Sequence, residues 1–565
     1  MFNKVKEFFQ RDITPYLILS IPLIFLLIFL IWPVGTTILR AFAERGQDFS
    51  ITNITFSNFE NFVDSNLYRR SFYNSFLISF SVVFLTLLIG VPMGYFVARV
   101  EMPFKTLIRT LGVLPLIMPS FVGAFSWIIL LGRNGALRII VNRFLAIFGL
   151  ALPPIYGMFG IIFSMTMLYY PFVFLLTYGA FSSTNPLLEE SAMLMGAKQS
   201  KIFKTITFPL VLPSIGAAVI LVFIRAIGNF GIPSVVGGQE YVLPTLIYFR
   251  VNGFWDLNGA AAIAIISVII TSAALLLQKY VISVREYETI TADRSEQKLH
   301  KHPVIKVIAM GYCSIVLFVS LLPQITLFIM SFFEQWNGIL PTGFTFSNYN
   351  AILTSLDSIK NSLIIVLSAS VLAAIIGSLV AYITERKNPK GSAIIDLLVM
   401  APFILPGIVV AVALLNAFSY PSPLIISGTF YIMIISFVIR RTPYVYRSVA
   451  ASLTQLDVKL EESSMICGAS WACTFRKVSF PLILPGIISG TILTLATLLK
   501  ELSTSILLYS ANTKTLPIQI YYEVSDGNFG TASALSVLLF VVVFIIVYLM
   551  NYFLGNKVSS SFKLG

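Results

Sequence analysis

Residues 188–197 read LEESAMLMGA, and residues 460–469 read LEESSMICGA. At the same distance beyond each copy comes an FPL-x-LP segment, which begins at Phe208 in the first case and at Phe480 in the second. Polar segments of this kind are uncommon in a chain that is 57% hydrophobic and 11% charged. A Glu-containing polar loop that occurs twice in an apolar chain indicates a duplicated membrane protein in which one type of contact is made twice.

The composition identifies lipid as the main environment of the chain. Its mean hydropathy is +0.88, and apolar runs of about 20 residues, enough to cross the roughly 30 Å hydrocarbon core, recur along the whole sequence. We expect an all-α membrane protein with about twelve helices, because a lipid-exposed backbone must satisfy its own hydrogen bonds and no period-2 pattern of a β-barrel is present. The clearest runs lie around 15–39, 73–98, 213–236, 259–282, 303–333, 361–383 and 532–554.

The duplication extends well beyond the two polar loops. From the loops to the FPL-x-LP segments the matched residues lie 272 positions apart, and earlier in each half they lie 287 positions apart, because the first half has a longer loop at 132–157. The earlier matches are Asn74 with Asn361, Ser75 with Ser362, Gly90 with Gly377, Tyr95 with Tyr382, Pro115 with Pro402 and Pro119 with Pro406. Further on, LPTLIY at 243–248 matches LPIQIY at 516–521. An even number of spans in each half predicts two parallel repeats, with a translocation path on the axis between them.

The repeats define the predicted domains. The first repeat covers residues 1–284 and contains the first loop (about 182–213), and the second repeat covers 307–565 and contains the second loop (about 454–485). Residues 285–306 mix charges of both signs and are predicted to be a cytoplasmic linker.

The distribution of Lys and Arg predicts the orientation. These residues are concentrated on the side of the two termini, so both termini are predicted to be cytoplasmic. The net charge of +13 is mostly this orientation signal and does not indicate nucleic-acid binding. Arg133, Arg138 and Arg143 lie on the predicted outer side. Either this loop covers an outer docking surface, or the third and fourth spans are misdrawn.

The sequence offers no catalytic or metal-binding constellation. Cys313, Cys467 and Cys473 are predicted near the cytoplasmic side, where thiols stay reduced, and their spacing is poor for a metal site. His300 and His302 lie in the predicted linker, where a solvated position is the simpler interpretation. No nucleophile and base recur as a set. We expect no catalytic residue, no metal and no cofactor on this chain.

Each loop is predicted to fold as a helix–turn–helix on the cytoplasmic face. Asn185 and Asp457 are good N-cap residues, and Gly196 and Gly468 stand where a helix can end in a left-handed conformation. The other candidate contact residues are the outward Glu190 and Glu462, the small Ala192, Ser464, Ala197 and Ala469, the apolar knobs Phe203 and Phe475, and the prolines Pro209 and Pro481. A plain solvated loop would explain one copy, but matched positions in two copies favour a contact site.

The paired loops resemble the signature of permeases of binding-protein-dependent ABC importers, which reads Glu-Ala-Ala, three residues, Gly, and then an Ile/Leu-x-x-Pro tail. Here Ser191 and Ser463-Ser464 replace some of the alanines. The resemblance covers nearly the whole chain and implies a type I importer permease fold, in which each loop forms a coupling helix in a groove of a separate cytoplasmic ATPase. It implies two ATPase copies that carry ATP, an external substrate-binding protein and the lipid bilayer as partners. The chain itself has no P-loop sequence.

Charged residues inside apolar runs are costly and are therefore candidate functional residues. Arg225 precedes GNFG at 228–231, and by repeat position Asn229 corresponds to Glu501. The candidate translocation path consists of Arg225, Asn229, Lys500, Glu501, Arg440 and Arg441.

Simpler interpretations exist for both charged pairs of the second half. Lys500 and Glu501 would neutralise each other near a helix break, and Arg440 and Arg441 would extend towards the inner membrane interface.

The segments NFGIP at 229–233 and KELST at 500–504, together with the fused layout, resemble the permeases of ferric-iron importers. This chain has Asn229 where members of that group more often carry Asp. Relatives with the same layout imply 2-aminoethylphosphonate, thiamine or polyamine as alternative cargoes, and the arginines would suit an anionic cargo. A secondary transporter driven by an ion gradient is the alternative from another class, but it would not need two matched loops.

Overall fold

The computed structural model describes residues 14–283, 299, 302–387 and 391–558. In these residues, nine helices are long and apolar enough to cross a membrane, and two pairs of shorter helices pass the same test together. The first repeat consists of span 1 (Ser20–Ala41), span 2 (Asn66–Arg99), the bent span 3 (Lys105–Leu116 and Ser120–Leu131), span 4 (Met158–Ser183), span 5 (Gln199–Ile227) and span 6 (Leu257–Gln278).

The second repeat has the same order of helices. It consists of span 7 (Pro303–Met330), span 8 (Leu356–Lys387), the bent span 9 (Ser392–Phe403 and Gly407–Phe418), span 10 (Phe430–Thr454), span 11 (Trp471–Leu498) and span 12 (Phe529–Leu549). Span 10 matches span 4 by repeat position. It is not one of the nine apolar helices, because it carries three arginines. The predicted all-α fold with two six-helix repeats is confirmed.

Shorter elements connect the spans. Phe333–Gln335 and Thr342–Phe344 form an antiparallel hairpin after span 7. The short helices of the connections are Ile51–Asn53, Ser57–Asp64, Ala136–Ala146, Pro186–Leu194, Gly231–Val236, Leu243–Phe254, Ser347–Tyr349, Asn350–Thr354, Lys459–Ile466, Ser505–Leu508, Ala511–Thr513 and Leu516–Ser525.

Spans 3 and 9 are sharply broken. Their two helices meet at angles of 98° and 107°, respectively. The breaks coincide with Pro119 and Pro406, which precede the second helix of each pair and lack the N–H that a continuous helix would use. Each second helix has 12 residues, or about 18 Å of length, too short to cross a roughly 30 Å hydrocarbon core alone. Both helices are almost completely buried inside the protein.

The apolar run predicted at 213–236 is not one span. Span 5 ends at Ile227, and the chain then forms the separate short helix Gly231–Val236 and the half-buried helix Leu243–Phe254. The prediction was wrong at this place because hydropathy measures burial, and a buried turn inside the protein is as apolar as a lipid-facing helix.

The first span of each repeat packs against the other repeat. In span 1, Phe29 contacts Phe418 with the ring centroids 5.6 Å apart. In span 7, the Tyr312 hydroxyl donates to the backbone oxygen of Leu88 at 2.9 Å. The largest hydrophobic core cluster accordingly contains residues of both repeats. This exchange makes the two halves one folded unit.

The repeated Asn-Ser pairs hold the buried helices of the repeated Leu-Pro segments. The Ser75 hydroxyl accepts a hydrogen bond from the backbone N–H of Leu243 at 2.8 Å, and Ser362 accepts the equivalent bond from Leu516 at 2.7 Å. Asn74 donates to the backbone oxygen of Tyr241 at 3.1 Å. These bonds satisfy backbone groups at the start of buried helices, where unpaired groups would be costly. They explain why two distant sequence motifs recur together.

The three arginines on the predicted outer side, Arg133, Arg138 and Arg143, lie in or beside the helix Ala136–Ala146, between spans 3 and 4. Arg138 donates to the backbone oxygens of Leu152 and Pro153 at 3.2 and 3.3 Å, while Arg133 and Arg143 are exposed. The loop is therefore outside the spans, and a docking role for it stays a prediction. Most of the predicted linker 285–306, including His300, lies outside the described residues.

Candidate functional site

Each loop begins with a capped helix. The Asn185 side chain accepts a hydrogen bond from the backbone N–H of Leu187 at 2.9 Å. In the second loop, Asp457 accepts the equivalent bond from Lys459 at 3.0 Å. Acidic residues in the first turn of both helices interact favourably with the positive end of the helix dipole. Asn185 is the N-cap of the first helix as predicted, whereas the second helix begins at Lys459 with Val458, not Asp457, at the N-cap position.

Each loop helix ends at its glycine. Gly196 and Gly468 have φ angles of +81° and +87°, as the sequence predicted. The following residue closes the turn: the N–H of Ala197 donates to the oxygen of Ala192 at 3.0 Å, and Ala469 makes the equivalent bond at 3.2 Å. This six-to-one bond is that of a Schellman motif, so Ala192 contributes through its backbone, as does Ser464 in the second loop.

An ion pair between a buried arginine and a partly buried glutamate fastens the first loop to the spans. Arg99, at the end of span 2, donates through both terminal nitrogens to the carboxylate of Glu189 at 2.9 and 3.3 Å. The Thr207 hydroxyl at the start of span 5 donates to the same carboxylate at 2.7 Å. Arg99 is only 3% exposed. Any displacement of the loop helix is therefore transmitted to spans 2 and 5 through one side chain.

The second loop repeats this anchor. Arg386, at the end of span 8, lies 3.3 Å from Glu461, which also accepts hydrogen bonds from Ser479 at 2.8 Å and Tyr382 at 3.3 Å. Sequence reasoning selected the next glutamates, Glu190 and Glu462, and missed this anchor. The signal was available, because Arg99 and Arg386, and likewise Thr207 and Ser479, stand at the two repeat offsets.

Phe203 and Phe475 differ from their predicted outward role. Both are half-buried and pack edge-on against Tyr95 and Tyr382, with the ring centroids 5.4 and 4.8 Å apart. They join the loops to spans 2 and 8 rather than facing a partner.

Other apolar residues form the outward surface of the loops. Leu194 is 90% exposed and Ile466 is 86% exposed, at equivalent positions just before the two glycines. Glu462 beside this surface is exposed, and Glu190 is partly exposed. We call Leu194 and Ile466, each with its loop helix, the loop tips.

The predicted prolines mark an irregular helix in both copies. Phe203–Thr207 and Phe475–Ser479 each form one turn of π-helix, just before Pro209 and Pro481. A proline cannot donate to the helical ladder, which favours a local change of hydrogen-bond spacing. The hydroxyls that bind the anchoring glutamates lie in these turns.

A second group of polar residues lies between the repeats. We call it the charged centre, and it consists of Arg225, Arg440, Arg441, Lys500 and Glu501. Arg440 and Arg441 of span 10 contact opposite oxygens of Glu501 at 2.5 and 2.6 Å. Neither simpler interpretation of these residues holds, since Arg441 is 8% exposed and Glu501 pairs with the arginines instead of with Lys500. Both residues lie in the turn that follows the helix Phe480–Leu498.

The charged centre connects the two repeats. The Lys500 ammonium donates to the backbone oxygen of Leu116 in the first repeat at 2.6 Å. Arg225 of the first repeat donates to the Tyr444 hydroxyl of the second at 3.4 Å, and Arg441 also lies over the Tyr444 ring. All the candidate path residues of the second repeat therefore lie in one place, together with Arg225.

The first repeat contains a neutral version of the same arrangement. Asn229 donates to the Tyr169 hydroxyl at 2.6 Å and accepts from the N–H of Ile232 at 2.9 Å. The equivalent Glu501 accepts from the N–H of Thr504 at 3.2 Å. Asn229 and Glu501 thus cap corresponding short segments, and Tyr169 stands where Arg441 stands in the second repeat.

The two loops, each tied to its second and fifth spans, are the decisive feature for comparison with known proteins. The model of the family described as binding-protein-dependent transport system inner membrane component matches residues 90–283 and again residues 373–560. The chain belongs to this family. The two matches confirm a fused permease with two repeats, and the chain is a multi-pass inner-membrane protein of the ABC importer permease class. This result favours the ABC permease over the alternative driven by an ion gradient.

Two relatives with ferric transport names cover most of the chain, and a third relative covers less than half of it. A ferric transport system permease protein of Actinobacillus pleuropneumoniae is 27% identical over 86% of this chain and 71% of the relative. A protein of Haemophilus influenzae with a ferric transport permease name is 29% identical over 80% of this chain and 71% of the relative. One named for 2-aminoethylphosphonate transport, from Salmonella paratyphi A, is 29% identical over 41% of this chain and 88% of the relative.

Proposed function

We propose that this chain is the membrane permease of an ATP-driven importer that receives ferric iron from an external binding protein. The observation that carries the proposal is the pair of equivalent loop tips, each fastened to its second and fifth spans through one glutamate that is largely but not fully buried.

The loop tips support docking of a separate ATPase. Leu194 and Ile466 project almost fully exposed from rigid, capped helices, and exposed apolar residues on a polar loop are typical of protein contact sites. Two equivalent tips fit two copies of one ATPase. ATP would be bound by those partners, since the chain has no P-loop sequence.

The anchors suggest how the partner's motion reaches the path. Closure of the ATPase pair would shift the loop helices, and Glu189 and Glu461 would pull the ends of spans 2, 5, 8 and 11 with them. Span 5 contains Arg225 of the charged centre, and span 11 ends just before Lys500 and Glu501. Both termini would then lie on the ATPase side, which is cytoplasmic.

The cargo assignment rests on the relatives. The two ferric transport relatives align with most of the chain, in both repeats, whereas the phosphonate relative aligns with less than half of it. A phosphonate is the second candidate, and the observation that favours it is the excess of positive charge between the repeats.

Deletion of the gene for this chain is expected to abolish high-affinity uptake of radiolabelled ferric iron by iron-starved cells. The wild-type gene should restore uptake, and depletion of ATP should stop it while a protonophore at constant ATP should not. Unchanged iron uptake after deletion would refute ferric iron as the cargo. Uptake that follows the proton gradient would refute ATP as the energy source.

Acidic substitution of both loop tips, Leu194→Asp with Ile466→Asp, is expected to weaken association with the ATPase. A carboxylate placed in an apolar docking groove loses its solvation, and truncation of a central contact residue typically costs at least about 2 kcal/mol, roughly a 30-fold loss of affinity. The measurement is the amount of ATPase that co-purifies with the tagged permease. Ser200→Asp with Ala472→Asp, which adds the same two charges at exposed and equivalent sites of the two loops, is the control and should retain the ATPase. Equal losses would contradict the docking surface.

A further inference from the structure

We propose that the charged centre binds an oxyanion of the cargo, a phosphonate or carboxylate group, so that the importer carries an anionic cargo. This inference rests on the proposed importer function and narrows its substrate class. The cargo would be a free phosphonate or a ferric ion held in an anionic complex, rather than bare ferric iron, thiamine or a polyamine.

The charges of the centre do not balance. It contains four cations, Arg225, Arg440, Arg441 and Lys500, and the carboxylate Glu501, which pairs with Arg440 and Arg441. Three positive charges are left over among these five described groups. Charges inside a membrane protein are costly without counter-charges and are normally retained for function. An anion is the ligand that such an excess favours.

The two arginines of span 10 also have hydrogen-bond donors without a partner in the described part of the chain. The Nε atoms of Arg440 and Arg441 are buried and have no hydrogen-bond partner within the described part of the chain. An arginine fork binds carboxylate and phosphate groups through two parallel hydrogen bonds, and these charge-assisted bonds are among the strongest in proteins. These Nε–H groups could therefore donate to an oxyanion while the terminal nitrogens of the same arginines stay bound to Glu501.

The fold itself does not need these charges. The first repeat caps the equivalent short helix with neutral Asn229, and its partner there is neutral Tyr169. A structural role alone would be fulfilled by the same neutral pair in the second repeat. The charges of Arg441 and Glu501 must then serve a purpose beyond capping.

The location of the centre fits a transit site. Contacts from Lys500 to Leu116 and from Arg225 to Tyr444 cross between the repeats, where parallel repeats place a path. Gly407 makes room for the arginine side chain, since a Cβ at this position would lie 2.7 Å from Arg440 Nη1. Glu501 acts as the resident counter-ion, and a passing oxyanion replaces it when the repeats move apart. Cationic cargoes are repelled.

The test is thermal unfolding of the purified full-length chain in nanodiscs, titrated with four probes. The anionic probes are 2-aminoethylphosphonate and ferric citrate, and the cationic probes are thiamine and spermidine. Ligands that bind the folded state raise the unfolding temperature. We expect at least one of the two anions to raise it, and we expect neither of the two cations to do so. The anion that acts identifies the source of the oxyanion.

Two variants should shift this response in opposite directions. Arg441→Gln is expected to weaken the anion response about tenfold, the scale of one charge-assisted hydrogen bond. Glu501→Gln removes the competing carboxylate and should strengthen the response by about the same factor. If Arg441 and Glu501 only stabilised the fold, both variants would weaken the anion response. Lys500→Gln keeps the arginine–glutamate contacts and provides a milder test if either variant fails to fold.

Arg447→Gln is the matched control, because it removes a positive charge from an exposed position of the same span. Equal responses of Arg441→Gln and Arg447→Gln, or stabilisation by thiamine or spermidine, would overturn the inference. Iron uptake by cells tests the proposed function separately. If deletion of the gene leaves iron uptake unchanged while the anion response follows the predicted signs, ferric iron is refuted as the cargo and the anion site stands. If deletion abolishes iron uptake but no anion changes the unfolding temperature, the anion site is refuted and the proposed function stands.

Discussion

Replacement of Arg386 by Met is expected to destabilise the protein by about 3 to 5 kcal/mol, the usual cost of breaking a buried ion pair by removal of one partner. Arg386 and Glu461 are both about nine-tenths buried, so the carboxylate would remain in an apolar site without its cation. Ser479 and Tyr382 would still donate to it, but neither carries a charge. The measurements are the unfolding temperature of the purified chain and cargo uptake by cells, and both should fall.

A second substitution separates the charge effect from the packing effect. Glu461→Gln, added to the Arg386→Met variant, removes the isolated charge and should restore part of the lost stability. Arg476→Met, at an exposed position of the same loop, should change stability by no more than about 0.5 kcal/mol. The anchor would be refuted if Arg386→Met and Arg476→Met had the same effect.

Valine at Gly196 or Gly468 is expected to leave the protein in the membrane but to uncouple ATP hydrolysis from transport. Both glycines have φ near +80°, a conformation that costs an L-residue roughly 1–2 kcal/mol and is least tolerated by β-branched side chains. An added Cβ would meet no atom within 4 Å at either position, so the cost is backbone strain alone. The helix end would then shift, and the loop tip with it.

Asparagine is the matched control at these positions, because it adopts the left-handed conformation more readily than valine. Transport should therefore be retained far better in Gly468→Asn than in Gly468→Val, while membrane levels of both stay normal. The measurement is the ratio of transported cargo to hydrolysed ATP in proteoliposomes with the ATPase and the binding protein. Unchanged transport in both valine variants would show that the glycine turn is not needed for coupling.

Much of the candidate site could be read from the repeated loops. The helix start at Asn185 and the left-handed Gly196 and Gly468 depend on short-range backbone geometry, which a few neighbouring residues determine. The anchor of Glu189 was missed because its partner Arg99 lies far away in the chain. Only the folded protein brings the ends of span 2 and span 5 to one glutamate.

The outward faces of the loops were harder to predict than their ends. Phe203 was expected to face a partner because it is apolar and follows a polar segment, yet it packs on Tyr95. Leu194, which is fully part of the polar segment, forms the exposed surface instead. The direction of a side chain around a helix depends on where that helix lies against its neighbours, which the order of residues does not state.

The sequence by itself determined the class of this protein. Apolar runs set the membrane environment, the constant repeat offsets set the two parallel halves, and the paired loops set the permease family, because all of these are patterns along one chain. Only the tertiary structure decided which residues meet. Glu501 pairs with Arg440 and Arg441 rather than with the adjacent Lys500. Lys500 instead donates to the backbone oxygen of Leu116, because neighbours in a turn need not face each other while a residue of another span can lie directly opposite.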